Sequence, residues 1–518
     1  MRVYDYFRRS EAFYPDRVAF VSAKHRFTYR EMGERTRRIG AALAAIVSDG
    51  GRIAVYSPND VEAFACVLGI FAADAVWVPL NARNAVEENA FILENTGCEG
   101  LFVHSSMAAH IETFRAKVPS LKWVVCIDAA LDGYQSLDQF VAKAAPVLVE
   151  PAKYEPERVT TILSTGGTTG RPKGVMWTPR VWESMIASFW VHQDAPVEPP
   201  VHLVSAPMTH AAGVFAITLM AAGATTVIVD KFEPLVVMDA IQKYRVSHIF
   251  LPPTAIYMML AHPRVREFDY SSLRCFLYAA APMSVEKLRE AMNIFGPVMV
   301  QSYGQAEAPM FCTMMGIEDH KAALVDEKAA ARLWSCGKPT MLNRLAIMDD
   351  EGNLQPDGER GEIVVQGSIV MAGYFRNAAA TEEVSAFGWH HTGDVGWRDK
   401  DGYIYIVDRK KDMIISGGFN IYSAEVEQAV LAHPAVQDCA VVGVPDDKWG
   451  EAVKAIVELK PGARAEAEEI VALCKKMLGS TKAPKSVEVW DVLPRSPVGK
   501  VLKRDIRAKF WEGQTRNV

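Results

Sequence analysis

Through the first three hundred residues, short apolar and β-branched runs alternate with segments of helical spacing. Ile53–Tyr56, Ala75–Leu80, Leu101–His104, Trp123–Ile127, His202–Ser205, Thr225–Val229, His248–Leu251, Cys275–Tyr278 and Val298–Ser302 read as strands. Asp60–Ala72, Pro234–Tyr244 and Ser284–Phe295 read as helices between them. Strands that are apolar throughout and separated by helices predict parallel sheets covered on both faces. The fold class is therefore α/β and doubly wound, with more than one sheet because so many strands overfill a single one.

After about residue 340 the pattern changes. Leu345–Met348 and Gly361–Gln366, joined through Asp-Asp-Glu-Gly, predict antiparallel hairpin material. Trp397–Arg398 and Tyr403–Val407, joined through Asp-Lys-Asp-Gly, predict a second hairpin whose Asp-Gly supplies the positive-φ positions. A small β-rich subdomain is expected here. The charge run Asp408–Asp412 follows, and composition alone leaves it either a solvated face or a linker. Beyond it a separate strand–helix alternation predicts a small α+β domain, so the expected domains are 1–408 and 409–518.

Ala211–Val229 contains nineteen residues without a charge, long enough to be tested as a membrane span. Its first half is helix-like and its second half β-branched, with Gly223 between them. A buried helix turning into a buried strand fits that better than one transmembrane helix. No membrane span is expected.

Composition agrees with a folded globular chain: 50% hydrophobic and 23% charged residues, with a net charge of −6. That balance is no footprint for nucleic acid. Length, at 518 residues, predicts roughly three domains or large subdomains at about 150 residues each. The eight cysteines are scattered with no C-x-x-C pair, which disfavours a zinc or redox site and points to a reducing cytoplasm. The N-terminal twenty residues carry arginines but no apolar core of a signal peptide.

The strongest chemical signal is Thr165-Gly166-Gly167-Thr168-Thr169-Gly170-Arg171-Pro172-Lys173-Gly174, which follows a predicted buried strand. Glycines let the backbone turn and present N–H groups, while hydroxyls and one ammonium add donors and positive charge. That set suits a polyphosphate, although the spacing is not that of the P-loop.

This segment resembles the phosphate loop of the adenylate-forming superfamily, which includes acyl-CoA synthetases, nonribosomal peptide adenylation domains and beetle luciferases. Gly166 stands where serine is more frequent. Further blocks resemble that superfamily in order: Pro207–Gly213, Ala279-Ala280-Ala281-Pro282, Ser302–Glu307, Gly361–Val365, Gly373-Tyr374, Trp389–Asp394, Ile414–Asn420, Asp446–Glu451 and Pro494–Lys500. Ala306 replaces the superfamily's threonine.

The resemblance implies an acid–thiol ligase acting through acyl-AMP, with ATP, Mg²⁺ and coenzyme A as cofactors and a carboxylic acid, fatty or aromatic, as substrate. It implies that Thr165 to Gly170 and Lys173 bind phosphate, with Thr168 also catalytic. Ala280, Ala281 and Pro282 would wall the adenine, Tyr303 would stack on it beside Gly304, and Glu307 would hold the metal. Asp394 and Arg409 would bind the ribose and phosphate. Lys411 would be the hinge, Gly417 and Gly418 would admit the thiol arm, and Lys500 would be the catalytic ammonium. Trp449 would lie near the nucleotide end of coenzyme A; read alone, it serves equally as a buried anchor. His210, Phe215 and Ser302 are candidates for the acyl pocket, with His210 equally readable as a core histidine. Three other readings stay open: an adenylation enzyme loading a carrier protein, a luciferase-type oxygenase and a degenerate nucleotide-binding regulator. The oligomeric state is open, a homodimer among the options.

Overall fold

The apolar runs near the N-terminus lie side by side in an eight-stranded sheet of a computed structural model. The structure describes every residue except 151–152, 166–171, 282, 327–328, 447, 497–500 and 513–518. Strands Arg52–Ser57, Val76–Asn81, Gly100–Val103 and Trp123–Cys126 are parallel neighbours in this sheet. Each is apolar on both faces because helices cover both sides. Helix Val61–Ala72 is buried along its whole length, and the Asp60 carboxylate caps it by accepting the Glu62 and Ala63 N–H groups.

A second sheet of nine strands contains Val201–Val204, Thr225–Ile228, His248–Leu251, Cys275–Tyr278 and Met299–Gln305, all parallel. Antiparallel strands close both edges, so the two sheets are mostly parallel as expected. Helices Pro234–Tyr244, Pro253–Leu260 and Val285–Phe295 bury Ile241, Ile256 and Leu288 against one face of this sheet. The uncharged stretch resolves as helix Ala211–Met220, a turn at Gly223 with φ +74°, and strand Thr225–Ile228. Among the described residues no helix is long and apolar enough to cross a membrane.

Packing divides the chain into two compact units, 1–345 with 365–390, and 346–364 with 391–518. The two predicted hairpins form one four-stranded sheet in the order Asn343–Met348, Gly361–Gly367, His390–Arg398, Ile404–Arg409. In the second unit, the long antiparallel pair Val436–Asp446 and Gly450–Leu459 centres a five-stranded sheet. Period-2 alternation sorts its residues onto two faces. Val441, Val453, Ala455 and Val457 pack with helices Ser423–Leu431 and Ala467–Lys482. Ala440, Val442 and Ile456 lie on the other face with Ile506 of helix Lys503–Trp511.

Candidate active site

The phosphate-type loop is held at its base by antiparallel strands Thr161–Thr165 and Lys173–Trp177. Thr165 faces Lys173 in the register. Gly166, Gly167, Thr168, Thr169 and Gly170 lie outside the described residues. Lys500 does too, and its segment is likewise closed at the base, by an Arg495–Val501 bridge and the Leu502 N–H on the Pro494 carbonyl at 2.8 Å.

Glu307 sits in the tight turn between Met299–Gln305 and the antiparallel strand Ala308–Met315. Gly304 is required there, because a Cβ would fall 2.5 Å from the Met310 nitrogen. Six described non-glycine residues have positive φ, and two of them, Ala280 at +77° and Met310 at +61°, lie in this neighbourhood of sequence blocks. Such backbone strain collects at functional sites. Ala281 follows Ala280 after strand Cys275–Tyr278, and Pro282 lies outside the described residues. Tyr303 pairs with Thr313 across the hairpin, half-buried.

Three hydrogen bonds fix the Glu307 turn. The Trp177 indole donates to the Ala306 carbonyl at 2.6 Å, and the Met371 N–H donates to the Glu307 carbonyl at 2.8 Å. The Tyr374 hydroxyl donates to Glu307 Oε1 at 2.7 Å. Burial and then the Glu307 charge push the Tyr374 hydroxyl far above its ordinary value, so it stays a donor. Lys173 Nζ lies 4.8 Å from the centroid of the Tyr374 ring, the ring's π-face meeting the cation. Tyr374 is itself held by pairing with Val175 and by its N–H on Thr381 Oγ1 at 2.9 Å. No described residue besides Tyr374 hydrogen-bonds the Glu307 carboxylate. The donor set fits Mg²⁺, since one carboxylate oxygen suffices when triphosphate oxygens and water complete the shell.

The acyl-pocket candidates differ in setting. His210 precedes helix Ala211–Met220 and shares a 3.0 Å hydrogen bond with Thr209 Oγ1 through Nδ1. Phe215 is wholly buried, edge-on to Phe189 and His202 at 5.1 and 5.2 Å. Ser302 is 3% exposed, and its hydroxyl has no hydrogen-bond partner among the described residues.

In the second unit Asp394 and Arg409 face each other across an antiparallel pair, with Nε 2.6 Å from Oδ1. Asp394 is buried, and its N–H donates to Thr392 Oγ1. Burial, with the Arg409 and Arg504 guanidiniums nearby, holds the Lys411 ammonium below its ordinary value. Its carbonyl accepts from Arg507 at 3.3 Å. Gly417 donates its N–H to the Trp449 carbonyl at 2.8 Å, and a Cβ on Gly417 would meet the indole at 2.5 Å. Gly418 is next in the turn, and Trp449 is 42% exposed with Lys448 Nζ 4.7 Å over its ring.

Asp408, the first residue of the charge run, gathers three residues that carried no signal in the sequence: Ser423, Glu427 and Lys503. Asp408 accepts from the Ser423 N–H and, at 3.0 Å, from its hydroxyl. Lys503 Nζ donates to that hydroxyl and pairs with Glu427, both at 2.7 Å. Trp177 was equally silent, and Tyr374 stood in a recognised block with no role attached.

The AMP-binding enzyme family matches residues 7–375, and the AMP-binding enzyme C-terminal domain matches 425–500. The chain belongs to the AMP-binding enzyme family. A medium/long-chain-fatty-acid–CoA ligase of Mycobacterium tuberculosis is 35% identical over 95% of this chain and 87% of its own. Feruloyl-CoA synthase of Amycolatopsis sp. is 37% identical over 93% of this chain and 94% of its own. Among solved structures, the amide bond synthetase McbA from Marinactinospora thermotolerans superposes with a TM-score of 0.88 at 29% identity, covering 98% and 100% of the two chains. In these AMP-binding enzyme terms, Lys173, Tyr374 and Glu307 belong to the first matched region, while Asp394 and Arg409 lie between the two.

Proposed function

We propose that this protein is an AMP-forming acid–CoA ligase. It activates a carboxylic acid with ATP as acyl-AMP, releasing pyrophosphate, and then passes the acyl group to coenzyme A with loss of AMP. The carrying observation is the meeting of Glu307 with Tyr374 and Lys173, where a phosphate-binding loop and a metal-ready carboxylate share one support.

A carboxylate is a poor electrophile, and exchanging its oxygen for an AMP leaving group removes that barrier. In the first step the acid's oxygen attacks the α-phosphorus, and the bond to the bridging oxygen of pyrophosphate breaks. The Lys500 ammonium offsets charge that gathers between the acid and the phosphate, and Thr168 and Thr169 with Lys173 hold the departing pyrophosphate. Glu307 would hold Mg²⁺, which when bound would supply charge neutralisation beside the triphosphate. Tyr303 and the Ala280–Ala281 wall receive the adenine; Asp394 accepts from the ribose and Arg409 lies by the phosphate. For the second step the segment around Lys411 turns, which makes 1–408 and 409–518 the moving parts. The thiol arm then enters past Gly417 and Gly418 with its nucleotide against Trp449. His210, Phe215 and Ser302 are assigned to the acyl side.

The substrate read from the relatives is a fatty or aromatic acid. The cytoplasm is the proposed location, supported by eight cysteines that are all buried in the manner of small core residues. The test supplies ATP, Mg²⁺ and coenzyme A with straight-chain and cinnamic-type acids and measures acyl-CoA. The name of the structural relative also makes a small amine the acceptor to compare, and a holo-carrier protein the other. Amide or carrier product without acyl-CoA would overturn coenzyme A as acceptor. Lys500→Ala is expected to slow adenylation by about 10²–10⁴-fold, or about 3–5 kcal/mol. Thioester formation from supplied acyl-AMP should survive; equal loss of both steps in a folded variant removes the role.

A further inference from the structure

We propose that Tyr374 is a positioning residue that keeps Lys173 and Glu307 from neutralising each other and aims the Glu307 carboxylate for the metal. This rests on the reading above, in which Glu307 holds Mg²⁺ and Lys173 binds phosphate.

An ammonium and a carboxylate brought to one place pair unless something separates them. Among the described residues neither Lys173 nor Glu307 has an ion-pair partner within 4 Å, although both approach the same tyrosine. The ring separates them: Lys173 lies over its face at 4.8 Å, and the hydroxyl at its far end donates to Glu307 Oε1 at 2.7 Å. The cation thus receives a weak π contact and the anion a neutral donor. Both full charges stay available for ligands, and Oε2 has no hydrogen-bond partner among the described residues.

The chain builds this spacer rigidly. Tyr374 is 7% exposed, paired with Val175 in the same strand as Lys173, and bound through its N–H to Thr381. Thr381 in turn donates to the Asn377 carbonyl. The Glu307 main chain is pinned independently by Met371, and its neighbour Ala306 by Trp177. With both backbones fixed, the carboxylate's direction is what the hydroxyl adds. Partners that orient a metal-holding carboxylate without touching the metal are commonly worth 10-fold or more in metal affinity.

Two substitutions separate the two duties. Tyr374→Phe keeps the spacer and removes the donor. The half-saturating Mg²⁺ in ATP–pyrophosphate exchange should rise about 10-fold, and raising Mg²⁺ should recover most of the lost rate. Calorimetric ATP affinity in EDTA should stay unchanged, which also certifies the fold. Tyr374→Ala removes the spacer as well, and ATP affinity in EDTA should then fall because Lys173 pairs with Glu307. Tyr374→Phe with the parent Mg²⁺ requirement, or with one uniform loss at every Mg²⁺ concentration, overturns the proposal. Glu307→Gln is the reference. An unchanged Mg²⁺ requirement there overturns the metal role of Glu307 and this inference with it. A raised requirement in Glu307→Gln beside an unchanged one in Tyr374→Phe overturns the inference about Tyr374 alone.

Discussion

Two regions bury ionisable side chains in opposite ways. In the nine-stranded sheet of the first unit, His202 and His248 are neighbours on adjacent strands, and His320 lies beneath Tyr278. Burial pushes their imidazoles down to about 3, 4 and 4, so all three are neutral near pH 7. Beside the charge run of the second unit, Asp408, Glu427 and Lys503 are gathered as ions. Burial pushes both carboxyls up, and Lys503 offsets only part of that. His248 and His320 keep hydrogen-bond partners in Ser247 and Tyr278, whereas His202 has none among the described residues, a local cost that deleting the imidazole can relieve. A buried ion is stable only with its counter-ion, and deleting one strands the other.

The largest expected break is Lys503→Met. It leaves Asp408 and Glu427 facing each other without their cation, at a cost of about 3 kcal/mol, toward the low end for buried pairs because the lysine side chain keeps 20% exposure. Denaturant titration measures it, and the loss should shrink toward pH 5 as the carboxyls take up protons. A loss that grows on acidification would contradict the cluster as described.

Acid acts on the other region with the opposite sign. The unfolded chain protonates its histidines near 6.5, whereas His202 in the fold resists down to about 3. Between those values the unfolded state binds more protons, so the stability present above 6.5 is lost as the pH falls. His202→Leu should therefore raise stability by about 2 kcal/mol at pH 5 and little at pH 7.5. Neither imidazole nitrogen has a hydrogen-bond partner among the described residues, so no such bond is lost. Hydrogen exchange, corrected for intrinsic rate, should accelerate at pH 5 in Val201–Val204 before Val436–Asp446.

Ser302→Ala is the smallest effect. The hydroxyl is buried in the same sheet with no partner among the described residues, so its removal should change stability by less than about 1 kcal/mol, in the stabilising direction. A clear destabilisation would show that the Ser302 hydroxyl is satisfied after all.

Legibility followed distance along the chain. The nineteen uncharged residues were readable because Gly223 separates two local patterns. The strands Cys275–Tyr278 and His248–Leu251 were readable because each is apolar throughout. Nothing local says that Gly373-Tyr374 pairs with Val175-Met176 nearly two hundred positions earlier. The Tyr374–Glu307 bond, spanning sixty-seven positions, depends on that pairing. Phe215 shows the same limit in a core: apolar character foretold burial, while its packing against Phe189 and His202 is set by tertiary structure. Asp408 was visible as part of a charge run, but its gathering with Ser423, Glu427 and Lys503, spread over ninety-five positions, matched no pattern.

The Glu307 turn belongs to the nine-stranded sheet, and Trp177 and Tyr374, which grip it, belong to the eight-stranded one. With ligand bound, this joint would act as a thermodynamic rivet. A nucleotide–metal complex bound at Glu307 and Lys173 would draw on one strand system from each sheet. Its binding free energy would therefore be shared as cohesion between them. Substrate would act on this unit as a reversible cross-link, and a change that loosens either sheet would be felt as weaker binding of the metal nucleotide.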